Sequence, residues 1–164
     1  MAADDSLPSR TGPSAGPIGQ PALALLFAPG RRPSARDLSA LVLPGQNGVD
    51  AEYPDRLEIV GSGLRYAVSG LAPGPAAGSP AVAHSYGFSD PPDLAACEAV
   101  MIVPAARVAR RDGLVPVVRA LVDLSRGLAV LPELVAVCWL PAGTAMAPGH
   151  FDRQEVACPF WDRW

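Results

Sequence analysis

The stretch that decides the fold is Glu98–Pro141, EAVMIVPAARVARRDGLVPVVRALVDLSRGLAVLPELVAVCWLP. It begins with a short apolar run, Glu98–Pro104, and closes with another, Leu134–Pro141, each stopped by proline, which reads as a pair of buried strands. Between them Leu114, Val117, Val118, Leu121, Val122 and Leu128 recur at helical spacing while Arg119, Asp123 and Arg126 fall elsewhere, so the spacing predicts an amphipathic helix around 114–126. Asp112 is placed to cap it, Pro116 is tolerated in a first turn, and Gly127 suits its stop. A strand, helix and strand connected at this length predict two parallel strands and a right-handed crossover.

Upstream, ALALLFA (22–28) is continuously apolar and ends at Pro29-Gly30, the signature of a buried strand. A helix follows in PSARDLSALVLPG, with Ser34 as N-cap, Leu38, Leu41 and Val42 on one face, and Pro44-Gly45 as the stop. After a polar loop, RLEIV (56–60) is the next strand. The glycines of GSG (61–63) then pose a choice between a phosphate cradle and a turn. A cradle needs its glycines to open a helix. Here they open LRYAVSG, whose alternation sets Leu64, Tyr66 and Val68 against Arg65, Ala67 and Ser69, so GSG is a hairpin turn between strands. With the unit from Ala22 through the first helix to Val60 read as a second crossover, these elements predict an α+β fold. Its mixed sheet has about five strands with two helices packed on one face, a ferredoxin-like type of sandwich.

Residues 1–20 are rich in Ser, Gly and Pro and read as a disordered N-terminal tail; 21–164 read as a single domain ending in an aromatic segment, 151–164. The longest irregular stretch, LAPGPAAGSPAVAHSYGFSDPPDLAA (71–96), is either functional or a lid over exposed core.

Composition narrows the chemistry. All 13 basic residues are arginine, so lysine Schiff bases and the phosphate-binding lysines of nucleotide enzymes are ruled out for this chain. A formal charge of −3 gives no global attraction to nucleic acid or anionic lipid, and no apolar run approaches the roughly 18 residues of a membrane helix. Cys97, Cys138 and Cys158 are odd in number and form no C-x-x-C pair, which suits free thiols in the cytoplasm. Neither partner type, nucleic acid or membrane, is expected.

The segment Ala99–Phe151, with its strand, amphipathic helix, the pattern VAVCW (135–139) and Phe151 after a Gly/Pro/Met loop, resembles the bacterial family called domain of unknown function 4261. ALALLFAPGRRPSARDLSALV resembles that family's first strand and helix, so the likeness spans roughly 22–151. It implies a fold and a bacterial cytoplasmic setting, without an active site.

Four sets of residues carry candidate chemistry. His84, Ser85 and Cys97 supply the ingredients of a Cys/His or Ser/His/Asp nucleophile, although the G-x-S-x-G elbow is absent and Cys97 beside an apolar strand also reads as a small hydrophobe. His150, Asp152 and Cys158 match no metal-ligand spacing, so neither metal nor cofactor is expected. Arg107, Arg110 and Arg111 cluster before the second helix, as an anion or carboxylate site or as a solvated loop. Trp139, Phe160, Trp161 and Trp164 concentrate aromatics near the C-terminus, either as partner anchors or as a segment capping a sheet edge. The reading these favour is a non-catalytic protein-interaction or regulatory module holding another protein. The alternatives are a small hydrolase or transferase under the 71–96 loop and an immunity-type inhibitor.

Overall fold

A computed structural model describes residues 22–41, 47–61, 63–105 and 114–153. The chain runs β1 (Leu23–Phe27), α1 (Ala35–Leu41), β2 (Asn47–Glu52), β3 (Arg56–Gly61), β4 (Leu64–Ser69), β5 (His84–Tyr86), β6 (Glu98–Pro104), α2 (Leu114–Leu128), β7 (Leu134–Trp139), β8 (Thr144–Met146) and α3 (Pro148–Arg153). The fold is α+β, and its strands form one mixed sheet in the order β2-β3-β4-β6-β1-β7-β8-β5. The sheet has eight strands rather than about five. The three that the sequence conceals are β2, which reads as a polar loop, and β5 and β8, which at three residues each are too short to show a period.

β1 lies at the centre, all five residues buried, and pairs antiparallel with β6 on one side and β7 on the other. Hence β6 and β7 are parallel to each other, as the crossover through α2 requires, with β1 inserted between them. The first expected crossover is corrected. β3, β4, β6 and β1 form three successive antiparallel pairs, so β3 opposes β1, and it is the concealed β2 that runs parallel to β1. The GSG hairpin stands: β3 and β4 pair antiparallel from Arg56↔Ser69 to Gly61↔Leu64, and Gly63 has φ +74°, a left-handed turn conformation that glycine adopts without steric penalty.

Alternation along β1 builds two cores. Leu23, Leu25 and Phe27 face a cluster with Leu57, Ile59, Tyr66, Val68, Val100, Ile102 and Val137, closed by Ala35 and Leu38 of α1 and by Val117, Ala120, Leu121, Leu124 and Leu128 of α2. Both helices therefore cover the same face. α2 runs one residue beyond Gly127, and its buried Ser125 donates to the carbonyls of Leu121 at 2.7 Å and Val122 at 3.0 Å, so no polar atom there is stranded. At the start of α1 the Ser34 amide and hydroxyl donate to Asp37 Oδ2 at 2.9 and 2.7 Å, and the Asp37 amide donates back to Ser34 Oγ at 3.2 Å. This is a capping box, and the Ser34 hydroxyl and amide hold the Asp37 carboxyl below its ordinary pKa.

The opposite face carries smaller side chains: Ala24, Leu26, Ala99, Ala136, Cys138 and Ala145. In the expected two-layer sandwich this face is left open. Instead the connection from β4 to β6 crosses it, laying Ala77, Val82, Phe88 and Leu94 on the alanines. The packing shows the 71–96 stretch covering core.

Tyr66 interrupts an otherwise apolar helix-side core. Its side chain is wholly buried, its hydroxyl has no hydrogen-bond partner among the described residues, and burial pushes its pKa up to about 12. A stranded hydroxyl costs free energy on folding that phenylalanine does not. Tyr66→Phe is therefore expected to stabilise the fold by about 1 kcal/mol, read as a higher urea midpoint at unchanged slope.

Candidate functional site

The 71–96 connection is fixed at both ends by one arginine. Arg32 Nη1 donates to the carbonyl oxygens of Gly70 at 2.6 Å and Gly74 at 3.0 Å, and its Nε donates to Glu98 Oε2 at 2.7 Å. Glu98 also accepts the Gly30 amide at 3.0 Å, and these donors, Arg32 first, hold its carboxyl below the ordinary value. The guanidinium thus meets the chain where it leaves β4 and where it enters β6. Two further backbone bonds tie down the near half, Ala72 N–H to Pro33 O and Ala77 N–H to Ala99 O, each at 3.0 Å.

The far half reaches the other end of the sheet, where β5 pairs in parallel with β8 and becomes the edge. Here the chain opens a cleft of about 350 Å³, lined by residues 80–85 on one side and 92–95 on the other. Its walls are mixed, with Pro80, Val82, Pro92 and Leu94 supplying apolar surface and His84, Ser85 and Asp93 among the polar residues. Asp93 is the acidic residue of that lining, but its carboxylate accepts the amides of Ala95 at 3.1 Å and Ala96 at 3.4 Å, capping the 3-10 turn Leu94–Ala96.

His84 and Ser85 both border this cleft, and Cys97 lies just beyond it. Neighbours in a strand project to opposite faces, so the imidazole and hydroxyl of His84 and Ser85 diverge. Among the described residues no hydrogen bond joins either of them to Cys97. The Cys97 thiol is half-buried, donates to the Asp93 carbonyl at 3.5 Å, and is pushed up by burial and by the Asp93 carboxylate. An activated thiolate requires the opposite direction. Cys138 on β7 is buried, and burial, with Cys97 adding to it, raises its thiol to about 12.

Trp139, at the end of β7, is half-buried against the helix-side core and pairs in register with Leu23. Arg107, Arg110 and Arg111, and Cys158, Phe160, Trp161 and Trp164, lie outside the described residues, as does the 1–20 tail. Among the described residues no group of three His, Cys, Asp or Glu side chains is placed to hold a metal ion, and no helix is long and apolar enough to cross a membrane.

What side-chain reasoning misses is a backbone feature. In a parallel ladder, alternate residues of a strand bond to the same neighbour. His84 N–H donates to Gly143 O at 3.1 Å and Tyr86 O accepts Ala147 N–H at 3.0 Å, so these two residues use their backbone on β8. Ser85, between them, turns its N–H and C=O away from β8. Next to it the Tyr86 side chain is 48% exposed, one of few large apolar side chains on the surface among the described residues. The sequence signal was a short H-S-Y run between proline-rich flanks.

No family model matches this chain, and no curated protein or solved structure does.

Proposed function

We propose that this chain is a non-catalytic protein-interaction or regulatory module that holds an extended segment of another protein along the outer edge of β5, which no other described strand pairs. The observation that carries the reading is the outward-facing N–H and C=O of Ser85, set beside exposed Tyr86 and a cleft with apolar walls at Pro80, Val82, Pro92 and Leu94. An edge strand with unpaired backbone groups is a template for one more strand, and an aromatic anchor beside a pocket adds the side-chain contact such docking uses. The divergence of His84 from Ser85, the capping duty of Asp93 and the raised Cys97 thiol favour binding over catalysis. The bacterial cytoplasmic setting implied by the family resemblance belongs to the same proposal.

The test exploits the ladder geometry. Proline is tolerated in an edge strand where the lost N–H faces outward, so Ser85→Pro removes the donor offered to a partner and leaves the bonds to β8 in place. The tagged chain is used to capture partners from a lysate of the source cells, side by side with Ser85→Pro and Tyr86→Ala. Both variants are expected to melt close to the parent and to lose at least tenfold in retained partner, the equivalent of about 1.4 kcal/mol. A stoichiometric partner retained undiminished by folded Ser85→Pro, or no stoichiometric partner at all, overturns the reading.

A further inference from the structure

We infer that the segment from Ala72 to Cys97 is a strap that opens as a unit, latched by Arg32, and that it conceals a second apolar face of the sheet. The inference follows from how unequal the two cores are. On the helix side the sheet presents Leu, Ile, Val, Phe and Tyr side chains to two helices. Beneath the strap, four of the six buried residues are alanine, and each methyl group contributes only a fraction of what a leucine side chain does. The strap itself sends inward Ala77, Val82, Phe88 and Leu94, and its regular structure is limited to the three residues of β5 and one 3-10 turn.

A layer with so little apolar burial depends on its polar ties. At the β4 and β6 end these are one guanidinium, 11% exposed, that grips Gly70, Gly74 and Glu98 together, and the two backbone bonds from Ala72 N–H to Pro33 O and from Ala77 N–H to Ala99 O. At the other end the strap is held by backbone bonds to β8 and its flanks, Ala83 N–H and His84 N–H to Gly143 O and Ala147 N–H to Tyr86 O. Opening breaks these bonds and the three-residue pairing of β5 with β8, and uncovers Ala24, Leu26, Ala136 and Cys138, while β1 stays paired on both sides and α1 and α2 keep their own core. Regions of low local burial open below the free energy of global unfolding. Opening the strap thus turns a buried sheet face into an exposed one without unfolding the molecule.

Cys138 reports on this directly, since it is 1% exposed beneath the strap and its thiol is held neutral there. Iodoacetamide alkylation of the full chain, quantified by mass spectrometry on the peptide containing Cys138, is followed alongside amide hydrogen exchange of α2. In Arg32→Ala, Cys138 is expected to label at least tenfold faster than in the parent, with α2 protection unchanged. The strap is refuted as a separate unit if folded Arg32→Ala labels at the parental rate, or if labelling and α2 exchange accelerate by the same factor. Should that variant not fold, the parent chain in sub-denaturing urea decides. A shallower urea dependence for Cys138 labelling than for α2 exchange supports the strap, and equal slopes overturn it.

Discussion

Truncating Phe27 to alanine is expected to remove about 4 kcal/mol of folding free energy. Phe27 is wholly buried at the last position of β1, where it pairs in register with Glu98 on one side and Leu134 on the other and joins the cluster closed by both helices. Its ring is held by strands on two sides and by a helical layer above, so the surroundings have little freedom to fill the space left behind. The cost is then the lost transfer energy plus that of a cavity that stays open. Urea denaturation provides the measurement: the midpoint falls and the slope is retained. A loss below about 2 kcal/mol would mean that the helices settle into the gap and that the layer is less rigidly seated than its packing indicates.

Gly70→Ala is expected to cost about 3 kcal/mol. Gly70 has φ +83°, and a carbon added to it lies 2.6 Å from Ala99 O and 2.9 Å from Ala77 N. Those two atoms are the acceptor and donor of the bond that fastens the strap to β6. Both are backbone, so no rotation of a side chain relieves the overlap, and the substitution adds loss of that bond to left-handed strain. Gly63→Ala is the control. It has φ +74° with nothing within 4 Å of the added carbon, so only conformational strain remains and about 1 kcal/mol is expected. Equal losses at the two sites, measured by the same denaturation, would show that the strap adapts to the extra methyl.

These two sites also mark where sequence patterning is informative and where it is not. β1, β3, β4, β6 and β7 are legible because each carries either an unbroken apolar run or a clear alternation, and the turn between β3 and β4 is legible from glycines that open a strand. β2 is not: NGVDAE combines glycine with two acids, and it becomes a strand by pairing with β3 rather than through its own preference. β5 and β8 are made by each other. The second core was hidden for a different reason. Ala24, Ala99, Ala136 and Ala145 are too small to register as core-formers, although a row of small residues is what allows an irregular segment to lie close against a sheet. For the candidate site, Cys97 reads from its place beside an apolar strand as a small buried hydrophobe, and in the structure it is half-buried. Ser85 invites a search for a nucleophile, whereas its distinctive property is the direction of its peptide groups, which follows from pairing with β8 alone.

The central position of β1 has a consequence in time. Leu25 must find Val100 on one side and Val137 on the other, so this wholly buried strand is made well before either neighbour and gains its second only when the chain through β7 is available. β3 and β4 meet across a tight turn and can associate as soon as both exist. Pairings between such distant segments slow folding, and an unpaired apolar strand invites association with other chains in the interval. Leu23–Phe27, the safest place in the finished molecule, is for the same reason the stretch a ribosome-bound or refolding chain most needs to keep covered.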